Sequence, residues 1–152
     1  MSLFTTLDVS GSGLSAQRTR VEILAQNIAN SETTRTDEGG PYRRRRVTFE
    51  AEPQAAHSFR AVLAGIVSPL EPLDGGLHGV RVSEISVEDS EPERRYLPDH
   101  PDAGADGFVE FPSFNPVEDM VDLTSAVRSY QANLAVISAV KEMINRSLDI
   151  SR

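Results

Sequence analysis

The sequence predicts an α+β fold in which long N- and C-terminal helices pair as a coiled coil around a small β-rich insert. Three features predict it. Residues 117–150 contain no Gly or Pro and place apolar side chains three and four apart, the spacing of one face of a helix. Near the other end, Leu7, Leu14, Val21 and Ile28 recur every seven residues, again a helical stripe. Between these segments, prolines and glycines punctuate short alternating runs, the pattern of strands and turns. The order helix, strands, helix brings the termini together and divides the chain into residues 1–41, 42–112 and 113–152.

The N-terminal helix is expected over residues 3–30, with Phe4, Leu24 and Ala25 flanking its stripe. Gly11 and Gly13 each cost about 1 kcal/mol relative to Ala in a helix interior, and Ser10, Ser12 and Ser15 compete for backbone groups. This helix therefore needs packing to complete it. A polar loop comes next over 31–41, closing on Gly39, Gly40 and Pro41. Tyr42, Val47 and Phe49 mark a strand over 42–52. Residues 53–79 are poorly patterned: 57–67 reads equally as a short helix or a strand, and Pro69, Pro72, Gly75, Gly76 and Gly79 break any regular element after it. Val80, Val82, Ile85 and Val87 nearly alternate, predicting a strand over 80–89. Residues 88–95 read as a charged turn, 97–106 as an acidic loop and 107–111 as a short strand.

The last helix has a well-marked start, with Asn115 as N-cap, Pro116 at the first helical position and Glu118 as the return partner of a capping box. Its seam runs through Val117, Met120, Leu123, Val127, Tyr130, Leu134, Ile137, Val140, Ile144 and Leu148, with Lys141 out of place. At ~1.5 Å per residue it is roughly 50 Å long, more than a compact domain of this size needs to cross its core. Such a helix wants a partner, either the N-terminal helix or another copy. Burying one apolar side chain contributes roughly 1.5–3 kcal/mol, so the covered seam offers a large driving force. Tyr130 supplies a broad rigid contact, and the amides of Gln131 and Asn133 lie where they can set register.

Composition narrows the function classes. Only 6% of residues are aromatic and Trp is absent, which with a mean hydropathy of −0.30 argues for a modest core. No run approaches the ~20 apolar residues of a membrane span, and the first thirty residues lack signal-peptide character. With no cysteine, disulfides, thiolate metal sites and cysteine catalysis drop out. The net charge of −8 is unevenly placed: residues 51–115 hold 4 basic and 12 acidic side chains. Against it stands the block Arg43, Arg44, Arg45 and Arg46, a run of planar, fork-shaped donors. The acidic balance and the lack of an aromatic platform argue against nucleic acid. The block reads either as a strand edge with alternate side chains solvated, leading into Val47, Thr48 and Phe49, or as a contact with acidic groups of an adjacent subunit or a neighbouring component, with Arg44 and Arg46 as contact residues.

Asp99, His100, Asp102, Asp106 and Glu110 form the densest set of acid–base and ligand groups. Their spacing matches no EF-hand, and no HExxH, Walker or nucleophile-elbow motif occurs. A turn set by Asp and Pro and relieved at Gly107 is the plainer reading. His57 and His78 have no acids at a telling spacing. No catalytic residue, metal, cofactor or small-molecule substrate is therefore assigned, and the chain is expected not to be an enzyme.

Two terminal motifs carry a resemblance. Glu118, Asp119, Met120 and Val121, with Ser129, Tyr130, Gln131, Ala132 and Asn133, resemble the C-terminal signature of bacterial flagellar axial proteins of the rod and hook class. Gln26, Asn27, Ile28, Ala29 and Asn30 match the close of their N-terminal helix. Within that class Thr33, Thr34 and Arg35, residues 39–44 and His100, Pro101, Asp102 and Ala103 with Gly107, Phe108 and Val109 are similar to the proximal rod protein C family. Where other members often have TPGY after the first helix, this chain has a longer loop ending in Gly40, Pro41 and Tyr42. The resemblance implies a structural subunit of the basal-body rod, exported unfolded through the flagellar type III apparatus and assembled in the periplasm around a central channel. It implies as partners other copies and related rod proteins, meeting at Leu7, Leu14, Val21, Asn27, Ile28, Asn30 and the C-terminal seam. Another rod or hook axial protein, or an adaptor binding one helix, are the alternatives.

Overall fold

The computed structural model describes residues 3–52 and 79–150. Two helices, α1 (Leu3–Ala29) and α2 (Pro116–Ile150), enclose in sequence four strands: β1 (Arg45–Glu52), β2 (Gly79–Val87), β3 (Glu93–Tyr96) and β4 (Phe108–Phe111). The uncertain stretch 57–67 lies outside the described residues.

Both helix predictions hold. Asn115 Oδ1 accepts the N–H of Val117 at 3.0 Å, satisfying one of the donors that a helix start leaves without a partner. At the far end of α1, Asn30 donates through Nδ2 to the carbonyl of Gln26, and Ser31 Oγ to that of Ile28. Side chains thus cap both ends of the β-rich insert. The helices run antiparallel, since Arg20 meets Asp122 and Gly13 meets Asn133. With 35 residues against 27, α2 is about 12 Å longer than its partner at ~1.5 Å per residue.

The insert forms two separate antiparallel ribbons, β1–β2 and β3–β4. β1 begins at Arg45, later than the predicted Tyr42, because the Tyr42 N–H bonds to the carbonyl of Thr33 and its hydroxyl to Asn27 of α1. The β1–β2 register pairs Arg45 with Val87 and Glu52 with Gly79, with an irregularity between Thr48 and Phe49. Val47, Phe49, Val80 and Val82 are half-buried, and α1 packs on both strands as well as on α2. Gly79 allows that approach, since a Cβ there would sit 3.0 Å from Ser12 Oγ. Ser12 Oγ accepts the N–H of Val80 and donates to the carbonyl of Val9, so one of the helix serines ties the ribbon to α1.

The second ribbon corrects a prediction. Glu93–Tyr96 is a strand, not part of a charged turn, and pairs from Glu93↔Phe111 to Tyr96↔Phe108. All four of its residues are exposed, so it shows no apolar alternation. Cross-strand contacts hold it instead: Tyr96 lies edge-on to Phe108, and the Arg95 guanidinium sits 4.8 Å from the centre of the Phe111 ring. Gly107 takes a φ of +74°, and a Cβ there would be 2.8 Å from Tyr96 Cε2. Only glycine fits that corner.

Candidate assembly interface

The face of α2 turned to α1 is half the predicted seam. Leu123, Tyr130, Ile137 and Ile144 are half-buried as expected. The other file is displaced by one residue over most of its length: Asp119 and Ala126 are buried and Asn133 half-buried, seven apart, in line with Val140, which is buried as the seam predicts. Met120 and Leu134 remain about half exposed, at 49% and 48%, and Val127 is half-buried. Lys141, out of place in the predicted file, lies on its continuation; the displaced file ends instead on Val140. On α1 the buried residues are Ser10, Gly13, Ala16, Ile23, Leu24 and Asn27, whereas Leu7, Leu14, Val21 and Ile28 are half-buried on the flank. Small residues let the helix backbones approach, and the leucines edge the groove. Gln131 is exposed.

A polar junction locks the C-terminal end of α1. Asn27 is 0% exposed. Its Nδ2 donates to the carbonyl of Arg45, while its Oδ1 accepts from Arg45 N–H and from the Tyr42 hydroxyl. The motif asparagine is thus a clamp inside one chain, and Asn30 is the cap beside it. Burial pushes the Tyr42 phenol above its ordinary value; Arg45 opposes this and Asp119 adds to it.

Next to the clamp, Arg44 donates to Asp119 in the first turn of α2, lies 3.8 Å from Glu88 and packs near the Phe114 ring. Burial works against the Arg44 charge, but the hydrogen bond and charge of Asp119, with Glu88 and Glu118, outweigh it and hold the guanidinium more firmly charged than usual. Two more arginines of the block find acids of their own chain: Arg43 bonds Asp89, and Arg46 bonds both oxygens of Glu88. Arg44 and Arg46 thus each have an acidic partner within the subunit, Arg46 with its side chain still 58% exposed. These side chains, with Arg20, Arg45, Glu118 and Asp122 over Ile23, Leu24 and Val47, line a cleft of about 320 Å³. Sequence reasoning missed Asp119; its signal was an acid in file with Ala126, Asn133 and Val140.

The acidic loop is a turn. Asp102 accepts from Thr34 Oγ1 at 2.7 Å and lies 4.0 Å from Arg35, joining the β3–β4 ribbon to the loop after α1. His100 Nδ1 accepts the N–H of Asp102. Among the described residues, no group of three His, Cys, Asp or Glu side chains could hold a metal ion, and no helix is long and apolar enough to cross a membrane. His57 and His78 lie outside the described residues.

The two ends of the chain belong to the class of flagellar basal-body rod proteins. Residues 7–35 match the family described as "Flagella basal body rod protein", and residues 105–150 match "Flagellar basal body rod FlgEFG protein C-terminal". Whole-chain relatives are more specific. The flagellar basal-body rod protein FlgC of Borreliella burgdorferi is 41% identical over 99% of this chain and 98% of its own. Those of Bacillus subtilis and Salmonella typhimurium are 38% and 32% identical over the full length of both chains. The chain belongs to the FlgC family, and is a structural protein of the basal-body rod.

Proposed function

We propose that the chain is a building subunit that meets other copies of itself and related rod proteins along the part of α2 that α1 leaves uncovered, and that it performs no chemistry. The observation that carries this reading is the exposure of Met120, Val121, Leu134, Val136 and Met143, each at least 40% accessible. These residues lie on two sides of the α1 contact, Met120 and Leu134 on one and Val121, Val136 and Met143 on the other, and exposed apolar surface of that extent on a paired helix marks an interaction surface. Leu7, Leu14, Val21 and Ile28, half-buried along the edge of the same groove, extend it. The subunit reaches the periplasmic rod unfolded through the type III export apparatus, for which a chain without cysteine has no disulfide to undo.

Replacing Leu134 and Met143 together by Asp tests this, because charge inside a helix–helix contact stays unpaired. Neither residue is buried against α1, so folding and export should persist. The variant, as the sole copy in a flagellated cell, should be absent from purified basal bodies and leave the cell non-motile. Normal swimming would overturn the reading.

A further inference from the structure

We propose that the buried Arg44–Asp119 pair is the key that fixes how far α2 is slid along α1, acting on helix register more than on stability. The inference concerns the fold of one chain and stands whether or not the exposed apolar surface docks other subunits.

The middle of the helix interface encodes register weakly. The buried residues there are Ser10, Gly13 and Ala16 on α1 and Ala126 on α2, the larger Ile23, Leu24 and Val140 lying toward its two ends. Ridges this low make no deep holes, so a one-turn slip, ~5.4 Å, meets a similar surface. The polar junction does encode register. Asn27 bonds both backbone groups of Arg45 and so holds the neighbouring Arg44 in place relative to α1. Arg44 in turn grips Asp119, which is 0% exposed, in the first turn of α2. Any slip of α2 pulls one buried charge off the other, and a buried charge without its partner is strongly disfavoured.

As a stabiliser the same pair is poor. Arg44 Nε and Asp119 Oδ2 are buried without a hydrogen-bond partner, so the desolvation of both groups is only partly compensated. A second pair, Arg20 with Asp122 at 3.3 Å, is half exposed and too well solvated to enforce register alone.

The chain has no cysteine, so disulfide trapping in the purified full-length protein reads register directly. Gly13→Cys is combined with Asn133→Cys for the observed register, and with Ser129→Cys or Ile137→Cys for slips of one turn either way. In the otherwise unaltered chain the first pair should dominate after brief oxidation. In R44M/D119L the slipped products should rise several-fold relative to it, while the thermal midpoint without the cysteines stays level or increases. Should R44M/D119L fail to fold, D119N, which keeps the shape and removes the charge, carries the same readout. An unchanged product ratio overturns the proposal. So does an otherwise unaltered chain in which none of the three pairs cross-links, since there is then no register to fix.

Discussion

Gly13 lies against the side-chain amide of Asn133: a Cβ at position 13 would sit 3.1 Å from its Nδ2. Helix α1 therefore carries at its centre a residue that weakens it as an isolated helix and admits its neighbour as a packed one. Gly11, two residues earlier, has nothing beyond its chain neighbours and its own helix backbone within 4 Å of where a Cβ would be. The two glycines should respond oppositely to substitution.

Gly11→Ala should raise stability by about 0.5–1 kcal/mol through helix propensity alone. Gly13→Val should lower it by about 1–3 kcal/mol, because the branched side chain must displace Asn133. Urea unfolding followed by circular dichroism separates them; equal shifts would mean that the approach at Gly13 is not maintained in solution.

Asn27→Ala removes the shared partner of the Tyr42 hydroxyl and both Arg45 backbone groups. Leaving these part-buried polar groups without a partner should cost about 1–3 kcal/mol. Amide hydrogen exchange at Arg45 should accelerate in step with the loss in thermal midpoint. Retained protection at that amide would show that the clamp is not what secures β1.

Arg44 and Arg46 look alike in sequence but differ in environment, with side chains 13% and 58% exposed. Arg44→Ala leaves Asp119 buried and unpaired and should cost about 3–5 kcal/mol. Arg46→Ala breaks a solvated pair and should cost about 0–1 kcal/mol, less still in salt. Matched denaturation curves at low and high ionic strength test both expectations.

Tyr42 makes stability depend on pH in the alkaline range. Its folded-state pKa is raised above the ordinary 10.0, chiefly by burial, so the folded chain holds the phenolic proton longer than the unfolded one. That contribution is fully present below the unfolded value and is lost as pH rises through the folded one. The thermal midpoint should fall from about pH 10 upward. Tyr42→Phe should start lower, having lost the hydrogen bond to Asn27, and show a smaller alkaline fall; an identical fall would assign it to other groups.

Local patterns in the sequence were sufficient for every element whose stability is local. The unbroken 117–150 run and the Asn115–Pro116 start define α2 because capping and periodicity act within a few residues of one another. The Val80–Val87 alternation defines β2, and Gly107 marks the corner before β4 because only glycine takes that backbone angle without strain. The family was legible in the same way, from two short motifs at the ends. The remaining features depend on contacts between residues far apart in the chain. β3 was hidden because an exposed strand has no alternating pattern and is held by its pairing with β4. The true seam was hidden because leucines at seven-residue spacing outrank Ser10, Gly13 and Ala16 in any count of hydrophobicity, yet only the small residues permit the close approach. The role of Asp119 needed the tertiary structure altogether: a carboxylate on an apolar face is a fault until the fold brings Arg44 from 75 residues away to meet it.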